Sequence, residues 1–294
     1  MDRKGATQLV TEMQRDFGEP QFSLDGRRLA LTILQGGMRD VWLYDINSGI
    51  LTPFTFTEGN SSHARWSPDG KRLAFSSNRE GDLDIYWKPS DGSGEVEKLT
   101  ASEYPTTLSS WSPQGVLAYS ENVGGTNVRD IWVLALEGER KPEEFLATRF
   151  NERNPVFSPD GRWIALTSNQ SGQDEIYVKS YADQGGTIQI SIDGGREPMW
   201  APDGKELFYR NGDQMMVVSV ATAPTFQAQT PRLLFEGSYK YGRQGGISSV
   251  VSYYDISPDG QRFVMVKETE VQEAKQINVV LNWFEELKRL VPTP

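Results

Sequence analysis

The chain has 294 residues with a formal net charge of −10, 37% hydrophobic and 11% aromatic residues, and no cysteine. That composition supplies a sizeable core, while the acidic balance, with no Lys/Arg run, argues against nucleic acid or an anionic membrane as the partner. Disulfides, thiol catalysis and zinc–thiolate sites are excluded.

No apolar run reaches the ~18 residues a membrane helix needs, so no membrane insertion is expected. Met1-Asp2-Arg3-Lys4-Gly5 has no apolar stretch behind its charges and does not read as a signal peptide.

Taken in order, the first segment, 6–11 (Ala6-Thr7-Gln8-Leu9-Val10-Thr11), reads as the fourth strand of a unit whose first three strands lie elsewhere. Then comes Phe22-Ser23-Leu24-Asp25-Gly26, the first of six related turns. The others are Trp66-Ser67-Pro68-Asp69-Gly70, Trp111-Ser112-Pro113-Gln114-Gly115, Phe157-Ser158-Pro159-Asp160-Gly161, Trp200-Ala201-Pro202-Asp203-Gly204 and Ile256-Ser257-Pro258-Asp259-Gly260. Their glycines are 44, 45, 46, 43 and 56 residues apart. In each, proline presets φ, aspartate bonds its own backbone, and glycine takes the positive φ. An alternating strand such as Arg72-Leu73-Ala74-Phe75-Ser76 follows, which makes a hairpin.

A third strand follows, opened by Asp40-Val41-Trp42, Asp84-Ile85-Tyr86, Asp130-Ile131-Trp132 and Glu175-Ile176-Tyr177, decaying to Gln214-Met215-Met216 and Gln276-Ile277-Asn278. A fourth closes most units, as in Val96–Thr100. Four antiparallel strands per ~45 residues, six times over, predict an all-β, six-bladed β-propeller as one domain over 1–294. The blades fall at about 18–56, 61–101, 106–148, 152–191, 195–236 and 249–282, the last completed by strand 6–11, which removes two open sheet edges. Asn211-Gly212-Asp213 suggests a type I′ turn in blade 5. The tail 283–290 has a helical period, with Phe284, Leu287 and Leu290 on one face and Pro292 beyond it.

The turns and the Asp-Ile-Tyr/Trp strands resemble TolB-type, WD-like propellers over nearly the whole chain. The ending Ile277–Arg289 resembles the C-termini of propeller domains attached to bacterial serine/threonine kinases and winged-helix regulators. The resemblance implies a sensing or scaffolding module of a larger signalling or envelope protein, in an extracytoplasmic setting and monomeric when isolated. Its partner would be a protein, a peptide or a small molecule.

Catalysis does not need a carboxylate in five turns, so Asp25, Asp69, Asp160, Asp203 and Asp259 read as backbone caps. Asp40, Asp84, Asp130 and Glu175 read likewise as structural, bonded to the preceding hairpin. Asp82-Leu83-Asp84 has the oxygen density of a calcium loop without EF-hand order. No cofactor is expected beyond room for a calcium or magnesium ion where the strands converge on the channel. His63 is the lone histidine, so a zinc cluster or a Ser–His triad finds no support, and no Gly-x-Ser-x-Gly occurs. In a propeller, positions three and one before the turn aromatic surround the channel mouth. The loops joining successive blades frame that same face, so the candidate ligand funnel is the mixed polar set Glu19, His63, Arg65, Arg153, Asn154, Arg196, Glu197, Tyr253 and Asp255. The alternative use of the same residues is inter-blade salt bridging around a water-filled channel. The surplus before the sixth turn, Gly237–Ile247, carries Tyr239, Lys240, Tyr241 and Arg243 and reads as a recognition loop. The expected function is non-catalytic binding. The alternative is a propeller enzyme, a carbohydrate lyase or hydrolase, with a base drawn from His63, Tyr253 or Arg65.

Overall fold

The computed structural model describes residues 1–56, 59–124, 126, 128–183, 185–241 and 252–267. Among the described residues five antiparallel sheets of four or five strands run in up-and-down order, followed by a two-stranded one. Blade 1 comprises Asp16–Phe22, Arg28–Gln35, Met38–Asp45 and Leu51–Pro53. Blade 2 comprises Ser61–Trp66, Arg72–Ser77, Asp84–Pro89 and Glu97–Lys98. Blade 3 is Thr106–Trp111, Val116–Asn122, Arg129–Ala135 and Pro142–Leu146, and blade 4 is Glu152–Phe157, Trp163–Ser168, Glu175–Ser180 and Ile188–Gln189. Blade 5 holds Arg196–Trp200, Glu206–Asn211, Gln214–Ala221 and Gln227–Ala228, with Arg232–Glu236 also paired to its third strand.

The repeated turn folds as its residues dictate. In blade 2 the Ser67 carbonyl accepts the Gly70 amide at 2.8 Å, and Gly70 takes a φ of 69°. Asp69 Oδ1 accepts the Ser67 hydroxyl at 2.6 Å and the Lys71 amide at 3.0 Å. The same serine–aspartate bond recurs at Ser23–Asp25, Ser158–Asp160 and Ser257–Asp259. Three of the four third-strand acids bond forward rather than backward, Asp130 Oδ1 being buried without a hydrogen-bond partner. Asp40 accepts Thr55 Oγ1 at 2.8 Å, Asp84 accepts Thr100 Oγ1 at 3.0 Å, and Glu175 accepts Ser191 Oγ, each at the end of the blade's fourth strand. The expected bond to the preceding hairpin is thus corrected: the acid locks strand three to strand four.

The core lies between blades. Ala30, Val41 and Phe54 of blade 1 pack on Trp66, Leu73, Phe75 and Tyr86 of blade 2, and equivalent clusters fill the later junctions. Each fully buried Leu or Phe contributes about 1.5–3 kcal/mol. Tryptophans at the turn position also bond backwards: Trp66 Nε1 donates to the Gln21 carbonyl at 3.4 Å, and Trp200 Nε1 to the Val156 carbonyl at 3.0 Å.

Over the described residues the six-bladed expectation is corrected to five blades. Among the described residues the sixth repeat supplies only a hairpin, Tyr254–Ile256 with Phe263–Met265. It fills the gap between the ends of the ring. Tyr254, Ile256 and Phe263 pack on Phe208 and Val217 of blade 5, and Val264 packs on Leu29 and Leu31 of blade 1. Segment 6–11 is not a strand. Met1 instead exchanges both backbone hydrogen bonds with Phe263, at 2.7 and 2.8 Å, so the chain start takes the hairpin's free edge. Asp2 Oδ1 then caps the Lys4 and Ala6 amides, turning the chain outward and leaving Leu9 72% exposed. The Asn211–Gln214 turn has positive φ at Gly212 alone, which fits type II′ rather than I′. The tail helix (283–290) and the third strand of unit six (277–281) lie outside the described residues, as does Arg243. No described helix is long and apolar enough to cross a membrane.

Candidate ligand-binding site at the channel mouth

The first strands of successive blades touch one another in a ring, and blade 1 touches the sixth hairpin. These are the channel-lining strands. Four of them are bulged at one equivalent position, with register shifts between Gly18 and Gln21, Ser62 and Arg65, Arg153 and Val156, and Arg196 and Met199. At each bulge a non-glycine residue sits in the left-handed region: Glu19 (φ 51°), His63 (58°), Asn154 (52°) and Glu197 (55°). Such conformations cost about 1–3 kcal/mol each and persist only when the surroundings impose them. Here neighbouring blades do so. Glu19 Oε2 accepts the His63 amide at 2.5 Å and the Thr32 hydroxyl at 3.0 Å, and Glu197 Oε2 accepts the Tyr253 amide at 3.0 Å. A carboxylate at the bulge of one unit thus caps the amide at the same position of the next. Between blades 2 and 3, Ser76 Oγ does the equivalent for the Leu108 amide at 2.9 Å.

The predicted mouth residues separate into two groups. Around the junction of blades 1 and 2 with the sixth hairpin lie Glu19, His63, Arg65, Tyr253 and Asp255. His63 Nδ1 is 2.7 Å from Ser62 Oγ, whereas its Nε2 lies 3.6 Å from Glu19 Oε1 and is buried without a hydrogen-bond partner. Burial pushes the imidazole pKa down, so the ring is neutral near pH 7. Arg65 donates from Nε to the Ser109 carbonyl at 2.5 Å. Asp255 Oδ2 accepts the Phe22 amide at 2.7 Å, and burial pushes its carboxyl up to about 6. Burial likewise pushes the Tyr253 hydroxyl up to about 12.

The second group spans blades 4 and 5. Asp174 bridges two arginines, with Oδ1 2.5 Å from Arg153 Nη2 and Oδ2 2.7 Å from Arg196 Nε. Arg153 is 5% exposed, and its Nε and Nη2 find no aligned acceptor despite that proximity. Asn154 is buried beside it. Asp174 was not among the residues the sequence singled out, nor were Arg39 and Arg129. All three immediately precede the recurrent third-strand acid, and that column of the repeat is the signal that finds them.

The recognition-loop residues are partly tied down. Lys240 Nζ is 2.6 Å from Asp16 Oδ1, Tyr239 bridges to Lys267, and the Tyr241 ring lies 5.8 Å from the Arg210 guanidinium. In the Asp82–Asp84 stretch, Asp84 is committed to Thr100, Lys98 and the Ser102 amide. Among the described residues no group of three His, Asp or Glu is placed to hold a metal ion.

The fold is that of an all-β propeller with four-stranded antiparallel blades, and its likeness to known proteins runs to TolB-type propellers. Residues 3–128 match the family model for the TolB beta propeller domain. Two curated relatives are an uncharacterized peptidase, YuxL, of Bacillus subtilis and the Tol-Pal system protein TolB of Wolinella succinogenes. The first is 28% identical over 199 residues, covering 53% of this chain and 30% of YuxL. The second is 24% identical over 186 residues, covering 60% and 44%. The chain thus matches less than half of either relative's length. In structure it resembles a protein assigned as TolB from Agrobacterium tumefaciens, with a TM-score of 0.70, 21% identity and coverage of 89% and 94%. It also resembles an oligogalacturonate lyase from Vibrio parahaemolyticus, with a TM-score of 0.52, 11% identity and coverage of 88% and 89%. At these identities the likeness concerns the fold. The resemblance to kinase-attached propellers rests on Ile277–Arg289, outside the described residues, and these relatives do not extend it.

Proposed function

We propose that the chain is a binding module that engages a protein or peptide segment at the channel mouth, without chemistry of its own. One observation carries this reading: buried and half-buried charged side chains from different blades converge on one face, and some of their polar atoms lack aligned partners. A rigid ring with its polar groups already desolvated loses little freedom on binding. The likeness to a protein named for the Tol-Pal system favours this use, and on this reading the chain serves as part of a larger protein in an extracytoplasmic setting. The test is selection of random peptides on the intact chain, followed by binding to Arg196→Ala and Tyr253→Ala. Selected peptides are expected to lose affinity for both and to keep it for Lys98→Ala, a change on the outer strand of blade 2. Peptides indifferent to the mouth variants would refute the reading.

A second reading draws on one feature. His63 Nε2 is buried without a hydrogen-bond partner on a neutral ring, with Glu19 Oε1 3.6 Å away to stabilise the ring once it takes a proton. The lyase-like fold would make an acidic polysaccharide its substrate. Turnover of polygalacturonate or peptide that collapses in His63→Gln would favour this enzyme over the binding module.

A further inference from the structure

The pseudo-symmetry of the ring exposes a missing charge. At the junction of blades 4 and 5, Asp174 sits between Arg153 of its own blade and Arg196 of the next. Arg153 and Arg196 are themselves equivalent, each immediately preceding the left-handed bulge residue of its blade. One blade earlier, the position of Asp174 is held by Arg129, and the next blade's arginine is Arg153. The junction of blades 3 and 4 therefore has arginine facing arginine where its neighbour has a carboxylate. The two strands concerned, Arg129–Ala135 and Glu152–Phe157, are in contact. Arg129 is half-buried and makes no ion pair among the described residues. Arg153 is almost wholly buried, with its Nε and Nη2 hydrogens unaligned to any acceptor. The charge of Arg153 acts on Arg129, and a half-buried guanidinium beside a buried one whose carboxylate partner lies on its other side favours an anion between them.

We propose that an acidic peptide segment binds the mouth, with one of its carboxylates lodged between Arg129 and Arg153 as Asp174 is lodged between Arg153 and Arg196. This rests on the reading of the mouth as a peptide-binding face. A uronate sugar could offer the same carboxylate, but a sugar ring also wants an open aromatic face. The mouth aromatic, Tyr253, has its ring packed against Gly18. Arg39, at the same position of blade 1, places a further cation on the same face for a second acidic side chain.

The test uses labelled hexaglutamate, hexaglutamine and hexalysine peptides, measured by fluorescence anisotropy at low and moderate salt. Hexaglutamate binds, the other two do not, and its affinity falls with salt. Arg129→Gln weakens it by about tenfold or more, a loss expected for one charge-assisted contact, and Arg129→Lys restores part. Arg129→Asp supplies the missing carboxylate from the protein, so it abolishes binding and leaves the melting temperature unchanged or raised. Hexaglutamate binding that ignores Arg129→Gln and Arg129→Asp overturns the proposal. So does displacement of the peptide by inorganic phosphate at equal charge, or Arg129-dependent binding of trigalacturonate with none of hexaglutamate. If selected neutral or basic peptides bind the mouth instead, the peptide-binding reading stands and the acidic preference falls alone.

Discussion

Single residues in this ring serve two neighbours at once. Glu19 holds the strained amide of His63 in the next blade, so Glu19→Ala strands a buried N–H and lowers stability by about 2 kcal/mol. Glu19→Gln keeps an acceptor and costs less, and urea denaturation separates the two. Asp255 gives a pH signature. Its carboxyl is raised to about 6 in the folded chain, so the native state binds this proton more tightly than the unfolded state does. Its contribution is fully present below pH ~4 and is lost as pH rises through ~6, by roughly 3 kcal/mol at most. Asp255→Asn removes that slope, which shows as a flatter difference in melting temperature between pH 4 and 7. The turn aspartates were legible in the sequence because their bonds are local. Asp174 was not, because its meaning comes from Arg196, contributed by the following blade, and strand patterns carry no information about which columns meet across a junction.

At the scale of elements, the hairpin, the third strand and its acid follow from spacing alone, whereas closure does not. The place of segment 6–11 ahead of the first turn motif suits a fourth strand, yet Asp2 caps the amides of Lys4 and Ala6 and directs the chain away first. What covers the hairpin edge is the chain start, reinforced by Arg3, whose Nη2 lies 2.6 Å from Glu206 of blade 5. Removing residues 1–5 therefore exposes that edge and lowers the melting temperature by several degrees. The double change Leu9→Ser, Val10→Ser, on exposed side chains, stays within about 0.5 kcal/mol of the parent. Thermal denaturation of both variants checks the assignment. Equal melting of the truncated and full chains would show that the edge is covered some other way.

For the whole molecule, blades bury their faces against each other, and the ring has little freedom to move. On the proposed reading, binding specificity falls to the mouth, where bulges hold charged side chains in partly desolvated positions. The candidate site was legible as a list of columns, because the residues three and one before each turn aromatic, with those of the inter-blade loops just ahead of them, recur at the same place in every repeat. Its division into satisfied and unsatisfied junctions was not legible, because it depends on side-chain pairing between blades. The direct test is photo-crosslinking: a selected peptide carrying a crosslinker is bound to the intact chain and the attachment sites are read by mass spectrometry. Attachment confined to the mouth, at residues such as Arg129, Arg153, Arg196 and Tyr253, is the predicted result. Attachment spread over the outer strands, with the mouth unlabelled, would contradict the account.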